Sequence, residues 1–238
     1  MTAANITLYE LAGANPDLRF SPHCWKTRMA LAHKNLDAER LPWRFTAKQT
    51  IAFSGQELVP VLVDGDAVVH DSWRIALYLE ERYAERPLLF GHADAVPLAR
   101  FVNSWADATL LPALARLILI DIHDCLDTAD KAYFRESRER RFGRPLEEVV
   151  ADRPAHLAAF RQALAPLRHL LRGQDFIAGV APAYADYCAF GMFMWARCTS
   201  PVDLVAHDDP VFAWQERLLD AFGGLARAAP SFSAGGSR

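Results

Sequence analysis

The sequence predicts two unlike domains: a small mixed α/β unit over residues 1–85 and an all-helical unit over residues 96–227. Two observations carry this expectation. Val59-Pro60-Val61-Leu62-Val63 and Ala67-Val68-Val69-His70 flank Asp64-Gly65-Asp66, so two β-branched runs meet at an Asp-Gly turn, which is a hairpin pattern. Beyond residue 95 the apolar residues recur at helical spacing instead, as in Leu98, Phe101, Val102, Trp105 and Thr109.

Each element can be justified in order. Residues 6–11 (ITLYEL) form a short β-type run, followed by a loop over 12–20 that carries Gly13 and Pro16. Ser21-Pro22 then opens a helix, with Ser a favoured N-cap and Pro favoured at the first helical position; it runs through Trp25, Met29 and Ala32 to end near Asn35. Residues 37–44 suggest a second strand weakened by Pro42. Residues 45–55 fit either a loop or a short irregular helix. After the hairpin, Asp71-Ser72 caps an amphipathic helix through Trp73, Ile75, Ala76, Leu79 and Tyr83. The order β-α-β-(x)-β-β-α is that of the thioredoxin-like fold. Residues 86–95, with Pro87 and Gly91, make a linker. Further helices are expected over 128–141, 155–172, 185–199 and 210–222, and the tail 228–238 has the composition of a flexible end.

Bulk properties exclude several function classes. A net charge of −3 gives no reason to seek a nucleic acid partner. Residues 1–5 lack the basic and apolar segments of a signal peptide, and the apolar stretch 184–195 is interrupted by Asp186 and too short for a bilayer. The four cysteines, Cys24, Cys125, Cys188 and Cys198, show no CxxC or ligand-like pairing. Free thiols in a cytoplasmic protein, with no metal site, are the simplest expectation.

Three positions carry the candidate chemistry. Ser21 has a capping role, and its hydroxyl also sits at the positive end of a helix, where an anion is favoured. If that anion is a thiolate, lowering its pKa by about two units from ~8.5 takes roughly 2.7 kcal/mol. One charge-assisted hydrogen bond supplies about 1.5–3 kcal/mol and the helix terminus about 0.3–1 more, so no cationic residue is needed. Pro60 is either the first residue of a strand or part of a cis Val59–Pro60 bond that leaves the Val59 backbone free to pair with an extended peptide. Asp71-Ser72 is a cap, or a cap that also meets a ligand carboxylate.

Ser21-Pro22-His23-Cys24 followed by Arg28, then Val59-Pro60, then Asp71-Ser72 ahead of a Tyr-Leu-containing helix, resemble the glutathione transferases. The resemblance covers nearly the whole chain and implies glutathione as cosubstrate, Ser21 as the residue activating its thiol, Val59 and Pro60 on the cysteinyl backbone, and Asp71 and Ser72 on the γ-glutamyl carboxylate. It also implies a homodimer and an apolar second-substrate pocket, for which Trp105, Phe193 and Trp195 are candidates. The segments SPHCWKTRMAL, HDSWRIALYLEERY and RESRERRFGRPLEEV are similar to bacterial glutathione-dependent β-etherases of lignin-fragment degradation. That narrower likeness implies an aryl ether ketone as substrate, and Lys48 or Gln49 on the glycyl carboxylate. One departure is Ala183, where the family has Ser, Thr or Asn three residues before the Asp; the missing cap costs about 1 kcal/mol.

Two further signals have competing readings. Cys24 is a packed helix residue or a nucleophile for mixed-disulfide exchange. The arginine-rich run 135–144 is a solvated helix face or an anion or substrate contact. Three functions remain open: an aryl ether transferase, a general conjugating or peroxide-reducing glutathione transferase, and a non-catalytic binding protein on the same fold.

Overall fold

In a computed structural model, residues 6–232 are described. The first domain holds β1 (Ile6–Leu11), α1 (Pro22–His33), β2 (Glu39–Trp43), a 3-10 segment (Lys48–Ser54), β3 (Val61–Asp64), β4 (Ala67–His70) and α2 (Ser72–Arg82). The four strands lie in the order β2-β1-β3-β4, with β1 parallel to β2 and antiparallel to β3. β2 is thus an edge strand, where Pro42 removes no interior ladder bond. In the hairpin, Asp64 pairs with Ala67, so the loop is Gly65-Asp66 rather than one centred on Asp64-Gly65. Gly65 takes the positive φ of 59°, and Asp64 stays in the strand, its carboxylate accepting from the hydroxyls of Tyr78 and Tyr83 at 2.9 and 2.7 Å.

The second domain is helical, with α3 (Val96–Trp105), α4 (Leu111–Asp124), α5 (Thr128–Phe142), α6 (Leu146–Val149), α7 (Arg153–Ala163), α8 (Ala165–Leu170), α9 (Tyr184–Thr199) and α10 (Pro210–Gly224). The face that begins at Leu98 does not run on as one α-helix. A π segment, Ala106–Leu110, joins α3 to α4 just ahead of Pro112, whose missing N–H breaks the regular ladder. Leu98 and Phe101 are each 71% exposed, so the outer part of that face has no cover among the described residues. The helix expected over 155–172 is divided at Leu164, because Pro166 cannot donate to the turn before it. α10 loses helical geometry at Ala221–Gly223, where Phe222 turns to φ 53° and its ring packs near His33 and Tyr187. Of the tail, Phe232 N–H donates to Arg197 C=O at 2.8 Å; 233–238 lie outside the described residues. Among the described residues no helix is long and apolar enough to cross a membrane.

The domains meet where α1 packs on α9, and this contact sets the site. Gly191 makes it possible: a Cβ there would lie 2.5 Å from the Pro22 carbonyl oxygen. The start of α9 dispenses with a side-chain cap. Ala183 N–H donates to Asp186 at 3.1 Å, and the fully buried Asp186 carboxylate also accepts from Ile177 N–H, Ala178 N–H and Trp214 Nε1–H. Four donors on one carboxylate hold this corner together, while position 183 itself supplies no side-chain acceptor to the first turn of α9.

Candidate functional site

A cavity of about 560 Å³ opens between the two domains. Ser21 lies on its wall at the start of α1, and is itself only 5% exposed. Its backbone (φ −59°, ψ 128°) is the extended conformation of an N-cap, and its Oγ accepts the Cys24 N–H at 3.4 Å. Among the described residues no oxygen or nitrogen acceptor takes the Ser21 O–H, and it acts on the Cys24 thiol in the direction of the thiolate. His23 lines the same cavity; burial and the adjacent Lys26 ammonium hold its imidazole below the usual range, so it is neutral at pH 7.

Two further backbone features take the geometry the sequence allowed, and one of them shares the cavity with Ser21. The Val59–Pro60 bond is cis, and Val59 lines the cavity. Neither the N–H nor the C=O of Val59 pairs with another group among the described residues. Asp71 caps α2 from φ 70°, its Oδ1 accepting the N–H groups of Trp73 and Arg74 at 3.1 and 3.0 Å. Ser72 is buried, and its C=O accepts the Tyr184 hydroxyl of α9 at 2.7 Å. Asp71 acts on His23 in the direction that favours its protonated form, but neither Asp71 nor Ser72 is part of the cavity lining.

The other sequence candidates are dispersed. Trp195 of α9 lines the cavity with Ser21. Phe193 is 1% exposed, edge-on to Phe160 and Trp214, in the helical core and off this wall. Trp105, half-buried at the end of α3, also lies off it. Lys48 pairs with Glu57 at 2.6 Å and sits 5.5 Å over the Tyr133 ring, while Gln49 is exposed without a side-chain partner among the described residues. Cys24 is 1% exposed, and burial pushes its thiol up to about 12, far from nucleophilic at neutral pH.

One wall was singled out from the sequence only in part, through the arginine-rich run 135–144. Leu111, Pro112, Ala115, Arg116 and Leu119 of α4 face the cavity, as do Phe134, Arg138 and Arg141 of α5. The signal was present in α5, because positions 134, 138 and 141 recur at i, i+4 and i+7. The Arg138 guanidinium lies 4.7 Å over the Phe134 ring and 5.6 Å over that of Phe45, and Arg116, Arg138 and Arg141 are the charged residues of the lining.

Comparison with known proteins places this geometry. Residues 16–87 match the glutathione S-transferase N-terminal domain, and residues 97–219 match the glutathione S-transferase C-terminal domain. Glutathione S-transferase Z1 of Arabidopsis thaliana is 41% identical over 69 residues, spanning 27% of this chain and 31% of that protein. The chain thus matches about a third of that curated relative's length. Two solved structures share the fold. A glutathione S-transferase of Ceriporiopsis subvermispora in complex with glutathione superposes with a TM-score of 0.83 at 21% identity, covering 95% of this chain and 99% of that one. A glutathione transferase of Phanerochaete chrysosporium gives 0.76 at 22% identity, covering 95% of each. With both domain families matched in order along the chain, this protein belongs to the glutathione S-transferase family.

Proposed function

We propose that the chain is a glutathione transferase in which the Ser21 hydroxyl donates to the glutathione sulfur and holds it as a thiolate. The observation that carries this is the Ser21 O–H on the cavity wall, without an oxygen or nitrogen acceptor among the described residues, at the N-terminus of a helix that favours negative charge. The free N–H and C=O of Val59 suit the cysteinyl backbone of the peptide. The exposed Asp71 and the start of α2 suit its γ-glutamyl end, and Lys48 with Gln49 its glycyl carboxylate.

The apolar walls, including Trp195, suit an aromatic second substrate. In the reading we favour, the thiolate attacks the carbon between a ketone and an aryloxy group. A C–S bond forms, the C–O bond breaks with its electron pair leaving on oxygen, and the proton lost from the thiol ends on the phenol. The ketone makes that carbon electrophilic, so the protein supplies a lowered thiol pKa and alignment. The exposed Leu98 and Phe101 support pairing of two copies through α3.

The test is glutathione-dependent phenol release from a β-aryl ether ketone, with wild type and Ser21→Ala side by side. Release that falls roughly 10²-fold in the variant, with loss of the ultraviolet thiolate band of bound glutathione, is the expected result. Equal rates in the two proteins would remove Ser21 from the mechanism. Turnover of simple aryl halides with no phenol release would leave general conjugation in place of ether cleavage.

A further inference from the structure

The charges around the cavity are all of one sign. Arg116, Arg138 and Arg141 line it, and among the described residues no aspartate or glutamate does. None of the three makes an ion pair among the described residues. The rest of α5 shows that partners were at hand. On its other faces Arg135 pairs with Glu139 and Glu147, both at 2.9 Å, and Arg140 pairs with Glu136 at 2.5 Å. The interleaved glutamates therefore neutralise the outward arginines and leave the two that face the cavity without a counter-charge.

Arg138 is the more confined of these. Its Nη1 donates to Ser137 Oγ at 3.1 Å, and its guanidinium carbon lies over the rings of Phe134 and Phe45. Burial, and then the neighbouring Arg141, make its charged state less favourable than in water. An uncharged ligand filling this cavity would strip water from two adjacent guanidinium groups and return no counter-charge, which is costly. A planar anion would supply that charge in the bidentate geometry guanidinium groups accept.

We infer that the second substrate is an aromatic electrophile carrying a carboxylate, which Arg138 and Arg141 bind while Arg116 guards the exposed mouth. This rests on the second-substrate cavity proposed above and names the chemical class that cavity selects. The carboxylate chemistry is shared with glutathione itself, whose glycyl end could take the same arginines, so the experiment separates the two sources.

Calorimetric titration of the full chain with saturating glutathione, using 4-phenoxybenzoate against its amide, reads the preference without requiring turnover. The carboxylate should bind roughly tenfold tighter or more. That preference should shrink on adding salt, and most of it should vanish in Arg138→Gln and in the exposed Arg141→Gln, with the Kd for glutathione changed less than about twofold. Arg141→Gln is the safeguard, since that side chain is exposed and its loss does not disturb the ring contacts of Arg138. Equal affinity for acid and amide in wild type overturns the inference. So does a parallel loss of glutathione affinity in both variants, which would assign the arginines to the cosubstrate. Failure of the aryl ether reading would show separately, as absent phenol release with the acid preference intact.

Discussion

Gly191 of α9 lies against Pro22 of α1 at a distance no side chain could share, because a Cβ would come 2.5 Å from the Pro22 carbonyl oxygen. The obstacle is backbone, so it cannot rotate away. Gly191→Ala gains about 1 kcal/mol of helix propensity, and overpacking costs about 1–3 kcal/mol. The steric cost wins, and it falls on the residue next to Ser21. We expect a lower Tm and a loss of glutathione-dependent turnover of roughly tenfold or more, since small misplacements at a reacting centre are expensive. A variant as stable and active as wild type would show that the two helices can separate freely.

Lys26 of α1 and Asp107 of the π segment form the polar counterpart of that contact. The Lys26 ammonium is fully buried and donates to Asp107 Oδ1 at 2.6 Å and Asn103 Oδ1 at 2.9 Å, while Asp107 keeps 35% of its side chain in water. Removing the two partners should therefore have unequal effects. Asp107→Ala strands a buried cation and should cost about 3 kcal/mol, whereas Lys26→Met leaves a carboxylate that water can solvate and should cost clearly less. Urea unfolding of both variants measures the difference; equal losses would mean that Lys26 reaches water when unpaired.

These contacts explain which parts of the protein were legible in its sequence. The β-α-β and β-β-α halves could be read because Ser21-Pro22, Gly65 and Asp71-Ser72 act locally, each fixing its own turn or cap. The 3-10 segment Lys48–Ser54 could not, since its sequence KQTIAFS has no period of either kind and is anchored by Ile51 entering the core. On the cavity wall, Ser21 and Trp195 stand at positions the sequence singled out, the α5 arginines fall in a run with two competing readings, and the α4 residues carried no separate signal. Charge alone left the run 135–144 between a solvated face and an anion or substrate contact; the apolar Phe134 four residues before Arg138 marks the face that turns inward.

Asp130 fixes that inward face. It is 1% exposed and accepts from Phe45 N–H at 3.0 Å, Thr46 N–H at 2.9 Å and Thr46 Oγ1–H at 2.8 Å, tying α5 to the chain after β2. Asp130→Ala strands the buried Phe45 N–H, while water can reach that of the exposed Thr46, and should lower stability by about 1–3 kcal/mol, the cost of one buried unsatisfied group. Asp130→Asn keeps one acceptor and should lose about half as much. Because Phe45 carries the ring beneath Arg138, both variants should also weaken binding of aromatic carboxylates. A thermal melt and the same calorimetric titration check the pair, and an unchanged melt for Asp130→Ala would remove the anchor.

The thiols test the alternative nucleophile. Burial pushes Cys24, Cys188 and Cys198 each up to about 12, and the half-buried Cys125 up to about 11. Their folded pKa values lie above the unfolded value of about 8.5, so the fold favours the neutral thiol. The stability this contributes is full below about pH 8.5 and is lost as pH rises toward 12, at up to about 1.4 kcal/mol per pH unit for each thiol. Urea stability should accordingly fall steeply above pH 9. At pH 8, iodoacetamide followed by mass spectrometry should label Cys125 first and leave Cys24 untouched in the native protein, while all four label in urea. Rapid native labelling of Cys24, together with a Cys24→Ser variant that loses turnover while Ser21→Ala keeps it, would transfer the chemistry from the serine hydroxyl to the thiol three residues later.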